Sequence, residues 1–361
     1  MTSKEKFIHV KKIYTGEKIL NNQVLIIKNQ KIVSITQNGY DSKKAVPYVI
    51  PTFIDLQVYG SSNRLFSSYP NIKTLKIMSK HHQKNGAFYF QPTIASNSYK
   101  VIYKCIKAVK EFKKIYPNGG CIGLHIEGPW LNPKKKGAHK KEFLHSPNKN
   151  QIESIINLSD GSVSMITLAP EMVKESHLKK LKKEGIIISI GHSDYDYTRT
   201  NILSKNLIGV ATHLFNAMPN LHHRNLTLTT AILMNNSIFS SIIADGYHVD
   251  FEMIKLAYKL KKNKLFCITD SVTGNKKGPY IHKKCKNYYT HNGILSGSSI
   301  SMAKSFKNLI QRVGLNFNQA VKMCCITPHK VINNRMLDFK IEIGGNAKFN
   351  IINEKFDLVF C

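Results

Sequence analysis

Residues 171–192, EMVKESHLKKLKKEGIIISIGH, contain one complete unit of the predicted fold. In the first part, Met172, Leu178 and Leu181 fall on one face of a predicted helix, while lysines occupy the other face. Gly185 then supplies a stop, and the apolar run that follows ends at a histidine. A helix followed by a strand is the simplest interpretation, and it places a polar side chain at the carboxyl end of that strand.

The same unit recurs along the chain from residue 51 onward. Each candidate strand is followed by a stretch with helical spacing, and the strands are predicted at 52–57, 87–92, 121–126, 163–168, 186–191, 208–213, 240–244 and 265–269. Alternating strands and helices in this number predict the α/β class and a (β/α)8 TIM-type barrel.

Both ends of the chain follow a different pattern. Short alternating segments at 24–28 and 31–35 flank a predicted turn, and further short strands are predicted at 349–352 and 358–360. We expect small antiparallel strands here, with Gly344-Gly345 as a turn. The prediction is one small β domain from residues 1–50 and 335–361, beside a barrel of residues 51–334.

Composition limits the kinds of protein that this chain could be. With 42% apolar residues among 361, the chain can fill a large core and needs no disulfide cross-links to fold. The seven cysteines are scattered and form no C-x-x-C pair, which favours a reduced, cytoplasmic location. No apolar stretch is long enough for a membrane span, and the first residues lack the apolar region of a secretory signal.

The formal net charge of +31 raises the alternative of a nucleic-acid partner. The excess is nearly all dispersed lysine, whereas arginine is the side chain suited to bidentate phosphate and base contacts. No nucleic-acid-binding motif accompanies the charge, so we expect no nucleic-acid partner. A basic surface would still raise the encounter rate with a phosphorylated substrate.

Candidate catalytic side chains follow the apolar runs. Glu127, His192 and His213 each end a predicted strand, and one carboxylate with two neutral imidazoles is a common catalytic zinc set. Taken singly, each histidine would more often be structural. Asp270 ends another strand and could take a proton from an activated water, with a helix N-cap as its alternative role.

Seven motifs together resemble the N-acetylglucosamine-6-phosphate deacetylase family of the amidohydrolase superfamily, across nearly the whole chain. They are PTFIDLQ at 51–57, HIEGPWLNPKKKGAH at 125–139, TLAPE at 167–171, GHS at 191–193, ATHLFNAMPNLHHR at 211–224, ADGYH at 244–248 and LSGS at 295–298. The resemblance implies a barrel with a β-sandwich built from both termini.

The resemblance also implies roles for individual residues. Glu127, His192 and His213 would hold one divalent metal ion, zinc being the first choice and iron(II) or manganese the alternatives. Asp270 would be the general base and acid, and His139 would contact the acetamide and stabilise the oxyanion.

The sugar phosphate would be bound by Asn216, Ala217, Arg224 and His248. The resemblance further implies that Arg224 reaches into a neighbouring subunit's site, and hence a homodimer. A guanidinium is suited to phosphate because it offers a fork of donors. The competing interpretations are a solvated surface charge for Arg224 and a packed loop histidine for His248.

One departure from the family pattern concerns the first barrel strand. Many amidohydrolases have HxH there and this family often has QxN or HxN, whereas this chain has Gln57-Val58-Tyr59. Loss of both imidazoles favours a single metal ion. Tyr59 would either crowd the mouth of the site or supply a hydroxyl. The loops at 60–63 and 225–227 and the pair Ala347-Lys348 also depart from the family pattern.

The activity implied is hydrolysis of a linear amide, converting N-acetylglucosamine 6-phosphate to glucosamine 6-phosphate and acetate. The partner would then be a small phosphorylated amino sugar. The alternatives are another amidohydrolase activity, such as hydrolysis of a cyclic amide, and a non-catalytic derivative that binds a sugar phosphate or nucleic acid.

Overall fold

The computed structural model describes residues 5–332 and 338–360. Its strands are β1 Lys6–Tyr14, β2 Ile19–Lys28, β3 Lys31–Thr36, β4 Val46–Pro51, β5 Ile54–Val58, β6 Gly60–Ser61, β7 Arg64–Leu65, β8 Tyr89–Ala95, β9 Leu124–Glu127, β10 Val163–Leu168, β11 Ile187–Ile190, β12 Val210–Ala211, β13 Phe239–Ile243, β14 Leu265–Ile268, β15 Lys283–Cys285, β16 Tyr288–His291, β17 Ile294–Ser298, β18 Phe349–Ile352 and β19 Leu358–Phe360.

The α-helices are α1 Ile72–Lys84, α2 Tyr99–Ile115, α3 Lys149–Ser159, α4 Glu175–Lys183, α5 Tyr197–Asn206, α6 Leu228–Met234, α7 Phe251–Lys261, α8 Met302–Gln311, α9 Phe317–Val321 and α10 Thr327–Val331. Short 3₁₀ turns lie at Pro133–Lys135, Lys141–Phe143, Pro170–Met172 and Lys262–Lys264, and a π-helical segment, Lys322–Ile326, joins α9 to α10. None of the described helices combines the length and the apolar character needed to span a bilayer.

Eight parallel strands form the barrel in the order β5-β8-β9-β10-β11-β12-β13-β14. The first and last strands meet beyond the end of β14, where the Tyr59 N–H donates to the Ser271 carbonyl oxygen at 2.9 Å and Val58 forms a parallel bridge with Ser271. Every predicted barrel strand corresponds to an observed one. The α/β class and the (β/α)8 barrel are therefore confirmed, and the carboxyl ends of all eight strands lie at one face.

The unit chosen from the sequence folds nearly as predicted. Leu178 and Leu181 are the buried residues of α4, and Gly185 has a φ of +72°, a left-handed conformation that glycine adopts at little cost. The helix begins later than the apolar pattern suggests, because Pro170–Met172 forms a separate 3₁₀ turn.

Strands from both ends of the chain form one six-stranded sheet, in the order β19-β18-β4-β1-β2-β3. The expectation of purely antiparallel strands is wrong for one pair, because β1 and β4 are parallel. Phe317 of α9 stacks on Tyr48 of this sheet at a ring-centroid distance of 4.1 Å. The division into two domains stays a prediction, and its boundary at 334/335 lies outside the described residues.

A three-stranded antiparallel sheet, β15-β16-β17, lies between β14 and α8 in the chain and was not predicted from the sequence. We call residues 274–298 the flap. Tyr280 and Tyr289 of the flap pack in a small apolar cluster with Tyr59, Leu65 and Val272 at the mouth of the barrel. The flap therefore contributes to the face where the barrel strands end.

Candidate active site

A cavity of about 160 Å³ lies at the carboxyl ends of the barrel strands. The residues that line it include eight of the predicted site residues, namely Glu127, His139, His192, His213, Asn216, Ala217, His248 and Asp270. Arg224 is exposed in the loop before α6 and does not line this cavity. The fold thus brings Glu127 and Asp270, which are 143 positions apart in the sequence, into the same cavity.

Sharp turns at the ends of three strands aim the polar side chains into the cavity. His192 and His213 come two residues after β11 and β12, and Asp270 comes two residues after β14. All three have left-handed backbones, with φ of 48°, 34° and 52°. Non-glycine residues adopt this conformation rarely, and such strain is concentrated at functional sites.

Three donor atoms converge in the cavity. The Oε1 of Glu127 lies 2.9 Å from Nε2 of His213 and 3.3 Å from Nε2 of His192, and the two Nε2 atoms are 3.1 Å apart. Tetrahedral ligands at about 2.0–2.2 Å from a zinc ion lie roughly 3.3 Å from one another. The three atoms therefore fit the ligand shell of a single divalent cation.

The ligand atoms of Glu127, His139 and His192 also lie close enough together to hold a cation, so His139 is a second candidate for the third ligand. The hydrogen bonds argue against His139 as a ligand. The Ser96 backbone N–H donates to Nδ1 of His139 at 3.2 Å, so a neutral His139 carries its proton on Nε2 and donates it to Oε2 of Glu127 at 3.1 Å. By contrast, Nδ1 of His192 donates to the Lys135 carbonyl oxygen at 2.9 Å, which leaves its Nε2 lone pair for a cation.

The electrostatics of the site favour an ionised Glu127 and a neutral His192, which are the forms that suit a cation. Burial alone would raise the pKa of Glu127, but hydrogen bonds with His139, His192 and His213 outweigh it and hold that pKa well below its usual value. Burial, followed by the proximity of His139, lowers the pKa of His192 to about 4. Burial also lowers the pKa of His213, yet its hydrogen bond with Glu127 gives a net increase.

Asp270 faces the same cavity as these groups. One of its oxygens accepts a hydrogen bond from Nε2 of Gln57 at 2.7 Å, and burial raises its pKa above the usual value. The alternative role as a helix N-cap is wrong, because the next helix in the chain, α8, is capped by Ser301. A buried carboxylate with a raised pKa is suited to proton transfer.

The residues predicted to bind a sugar phosphate are only partly brought together. Asn216, Ala217 and His248 line the cavity, and Nδ1 of His248 is held by Asp245 at 2.7 Å. The side chain of Arg224 forms no hydrogen bond or ion pair with the described residues, and its backbone N–H donates to Nδ1 of His222 at 3.2 Å.

Sequence reasoning missed several side chains of this site. Tyr280 and His282 of the flap line the cavity, and the Tyr280 hydroxyl donates to the Ser96 carbonyl oxygen at 2.6 Å. No catalytic motif marks these residues, and only the run of aromatic and histidine residues in the flap could have drawn attention to them. The sequence left open whether Tyr59 crowds the mouth of the site or supplies a hydroxyl. The structure shows that it supplies a hydroxyl, which donates to Oε2 of Glu127.

Comparison with known proteins identifies the family. Residues 48–360 match the model of the amidohydrolase family. The chain is 30% identical over 318 residues to N-acetylglucosamine-6-phosphate deacetylase of Haemophilus influenzae, covering 85% of this chain and 83% of that protein. It is 29% identical to N-acetylgalactosamine-6-phosphate deacetylase of Shewanella sp. (strain ANA-3), covering 80% and 75% of the two chains.

Among solved structures, N-acetylglucosamine-6-phosphate deacetylase from Pasteurella multocida superposes with a TM-score of 0.89 at 28% sequence identity, covering 99% of this chain and 97% of that one. The similarity therefore extends over the barrel and the terminal sheet alike. On this evidence the chain belongs to the amidohydrolase family.

Proposed function

We propose that this enzyme hydrolyses the acetamide of N-acetylglucosamine 6-phosphate, giving glucosamine 6-phosphate and acetate. The observation that carries the proposal is the convergence of Glu127, His192 and His213 around one point, with Asp270 facing the same cavity. The names of the relatives supply the substrate class.

We propose Glu127, His192 and His213 as the ligands of one divalent cation. A cation held there would supply Lewis-acid chemistry, polarising the amide carbonyl and making water a better nucleophile. Zinc is our first choice, with iron(II) or manganese as alternatives, because imidazole and carboxylate ligands suit all three.

In the reaction, Asp270 would take the proton of the attacking water as a general base and then return it to the departing amine nitrogen. General acid–base catalysis of this kind contributes roughly 10²–10⁴-fold to the rate. His139 lines the cavity, and its Nε2–H, which donates to Oε2 of Glu127 in the structure, would turn to the carbonyl oxygen of the substrate as negative charge develops on it.

The phosphate is proposed to bind near Asn216, Ala217 and His248. Arg224 is exposed and lies outside the cavity, so its proposed phosphate contact requires a second subunit, as the predicted homodimer would provide. Arg224→Ala should raise KM for the phosphorylated sugar and leave kcat nearly unchanged. An unchanged KM would remove Arg224 from the proposed site, and sedimentation velocity would test the dimer independently.

The decisive experiment is acetate release from N-acetylglucosamine 6-phosphate before and after treatment with a chelator. N-acetylglucosamine tests the need for phosphate, and N-acetylgalactosamine 6-phosphate tests the preference suggested by the Shewanella relative. We expect release that is lost on chelation and restored by a divalent metal. No release with any divalent metal would contradict the proposal, and faster release from the unphosphorylated sugar would point to another amidohydrolase activity. The predicted cytoplasmic location would be tested separately by cell fractionation.

A further inference from the structure

The two oxygens of Glu127 face different partners. Oε1 lies toward His192 and His213 and accepts one long hydrogen bond from Nε2 of Gln57 at 3.3 Å, whereas Oε2 accepts hydrogen bonds from His139 at 3.1 Å and from the hydroxyl of Tyr59. A carboxylate without such contacts can rotate and offer either oxygen, or both, to a cation. Two donors hold Oε2, against one long contact on Oε1, and Oε1 is therefore the oxygen presented toward the two histidines.

Tyr59 is itself held in place from several sides. Its hydroxyl accepts a hydrogen bond from Nε2 of Gln57 at 2.8 Å, and the same nitrogen donates to Asp270 at 2.7 Å. Its backbone N–H donates to Ser271 at 2.9 Å, and its carbonyl oxygen accepts from Phe66 at 2.8 Å. The side chain is only 7% exposed, so the direction of the hydroxyl is fixed by packing as well as by hydrogen bonds.

The orientation of the Gln57 amide also follows from its surroundings. Its Nε2 faces oxygens of Tyr59, Asp270 and Glu127, the last at 3.3 Å. The opposite orientation would place the amide oxygen against two carboxylates and leave both without this donor. Because Gln57 donates to the Tyr59 oxygen, the Tyr59 proton is available for Glu127.

We propose that Tyr59 is a positioning residue whose hydroxyl holds Oε2 of Glu127, so that Oε1 alone is presented to a single cation beside His192 and His213. This inference rests on the metal centre in the proposed function. It assigns a role to a tyrosine that touches neither the proposed cation nor the reacting atoms. Removing a hydrogen-bond partner of a metal ligand costs roughly 10–100-fold in metal affinity or activity.

The test is Tyr59→Phe, which keeps the ring in its apolar cluster and removes only the hydroxyl. Zinc affinity is measured by competition with a chromogenic chelator, and the zinc content after dialysis is measured by mass spectrometry. We expect the zinc dissociation constant to rise about 10–100-fold. The matched control is Tyr89→Phe, since Tyr89 is also buried and its hydroxyl donates to a single oxygen, that of Asp338 at 2.9 Å, away from the cavity. It should bind zinc as the parent does.

A positioning role also predicts how activity responds to zinc. The loss of activity in Tyr59→Phe should be largely restored by saturating zinc, because the hydroxyl takes no part in the reaction itself. Unchanged zinc affinity would overturn the inference, as would a kcat that stays low when the variant is saturated with zinc. Zinc affinity is read without any substrate. A parent protein that binds zinc tightly but releases no acetate would therefore refute the proposed substrate and leave the role of Tyr59 testable.

Discussion

A buried carboxyl group at the seam of the barrel gives the most quantitative prediction. Asp55 of β5 accepts hydrogen bonds from the backbone N–H of Thr269 at 3.1 Å and from its hydroxyl at 2.5 Å, and so joins the first strand to the end of the last one. It is 0% exposed. Burial raises its pKa to about 7, because the hydrogen bonds from Thr269 only partly offset the cost of burying the charge.

The sign of the pH dependence follows from this increase in pKa. Below an unfolded pKa of 3.8 the carboxyl is neutral in both states and has no effect relative to an amide. As the pH rises, the unfolded chain ionises first while the folded protein still holds its proton, so the free energy of unfolding falls. The fall ends near the folded pKa of about 7, where the folded state ionises as well.

The perturbation is Asp55→Asn, which removes the titration and keeps a hydrogen-bonding group of similar size. Between about pH 5 and pH 7 the folded parent holds roughly one proton more than the unfolded chain, and its free energy of unfolding therefore falls by roughly 2 kcal/mol. With an unfolding entropy of about 2.1 cal/mol/K per residue, a chain of 361 residues converts that free energy to a change of about 3 °C in Tm. The Tm of the variant relative to that of the parent should therefore rise by this amount between about pH 5 and pH 7.

The assay is thermal unfolding followed by circular dichroism, with the same metal content in both proteins. The control is Asp160→Asn, because Asp160 is exposed and Lys110 lowers its pKa through an ion pair at 2.7 Å, so it finishes titrating below this pH range. Its Tm difference from the parent should be constant. A constant difference for Asp55→Asn as well would refute the reasoning, since the carboxyl would then ionise alike in both states.

Three further predictions concern the site and the packing around it. His213→Ala should abolish zinc retention after dialysis, whereas His139→Ala should keep the metal and lower kcat by about 10²–10³-fold; the reverse pattern would exchange their roles. Gly128→Ala should destabilise the fold by roughly 2 kcal/mol or more in chemical denaturation and reduce activity, because φ is +80° and an added Cβ would lie 2.2 Å from Oγ of Ser96. Phe317→Ala should cost about 2–3 kcal/mol and lower Tm by about 3–4 °C, and no change would mean that the terminal sheet is held to the barrel by other contacts.

The sequence by itself determined the fold class and the chemical groups of the site. Apolar runs that end in polar side chains, such as the run before His192, are a local pattern, and a parallel barrel brings the ends of its strands to one face whatever lies between them. For the same reason Glu127, His192, His213 and Asp270 could be grouped before any distance was known. The roles of these residues remain predictions until the variants are measured.

Only the tertiary structure decided which atoms face one another. The sequence left two roles open for Tyr59, and it gave no sign that Gln57 joins Tyr59 to Asp270, because hydrogen bonds between side chains depend on rotamers and on the closure of the barrel. It also gave no sign of the flap, whose short strands pair locally with weak patterns. The positions of the strands in the sequence follow from local periodicity, whereas the direction of a buried hydroxyl follows from packing that involves the whole chain, and the structure was needed for that reason.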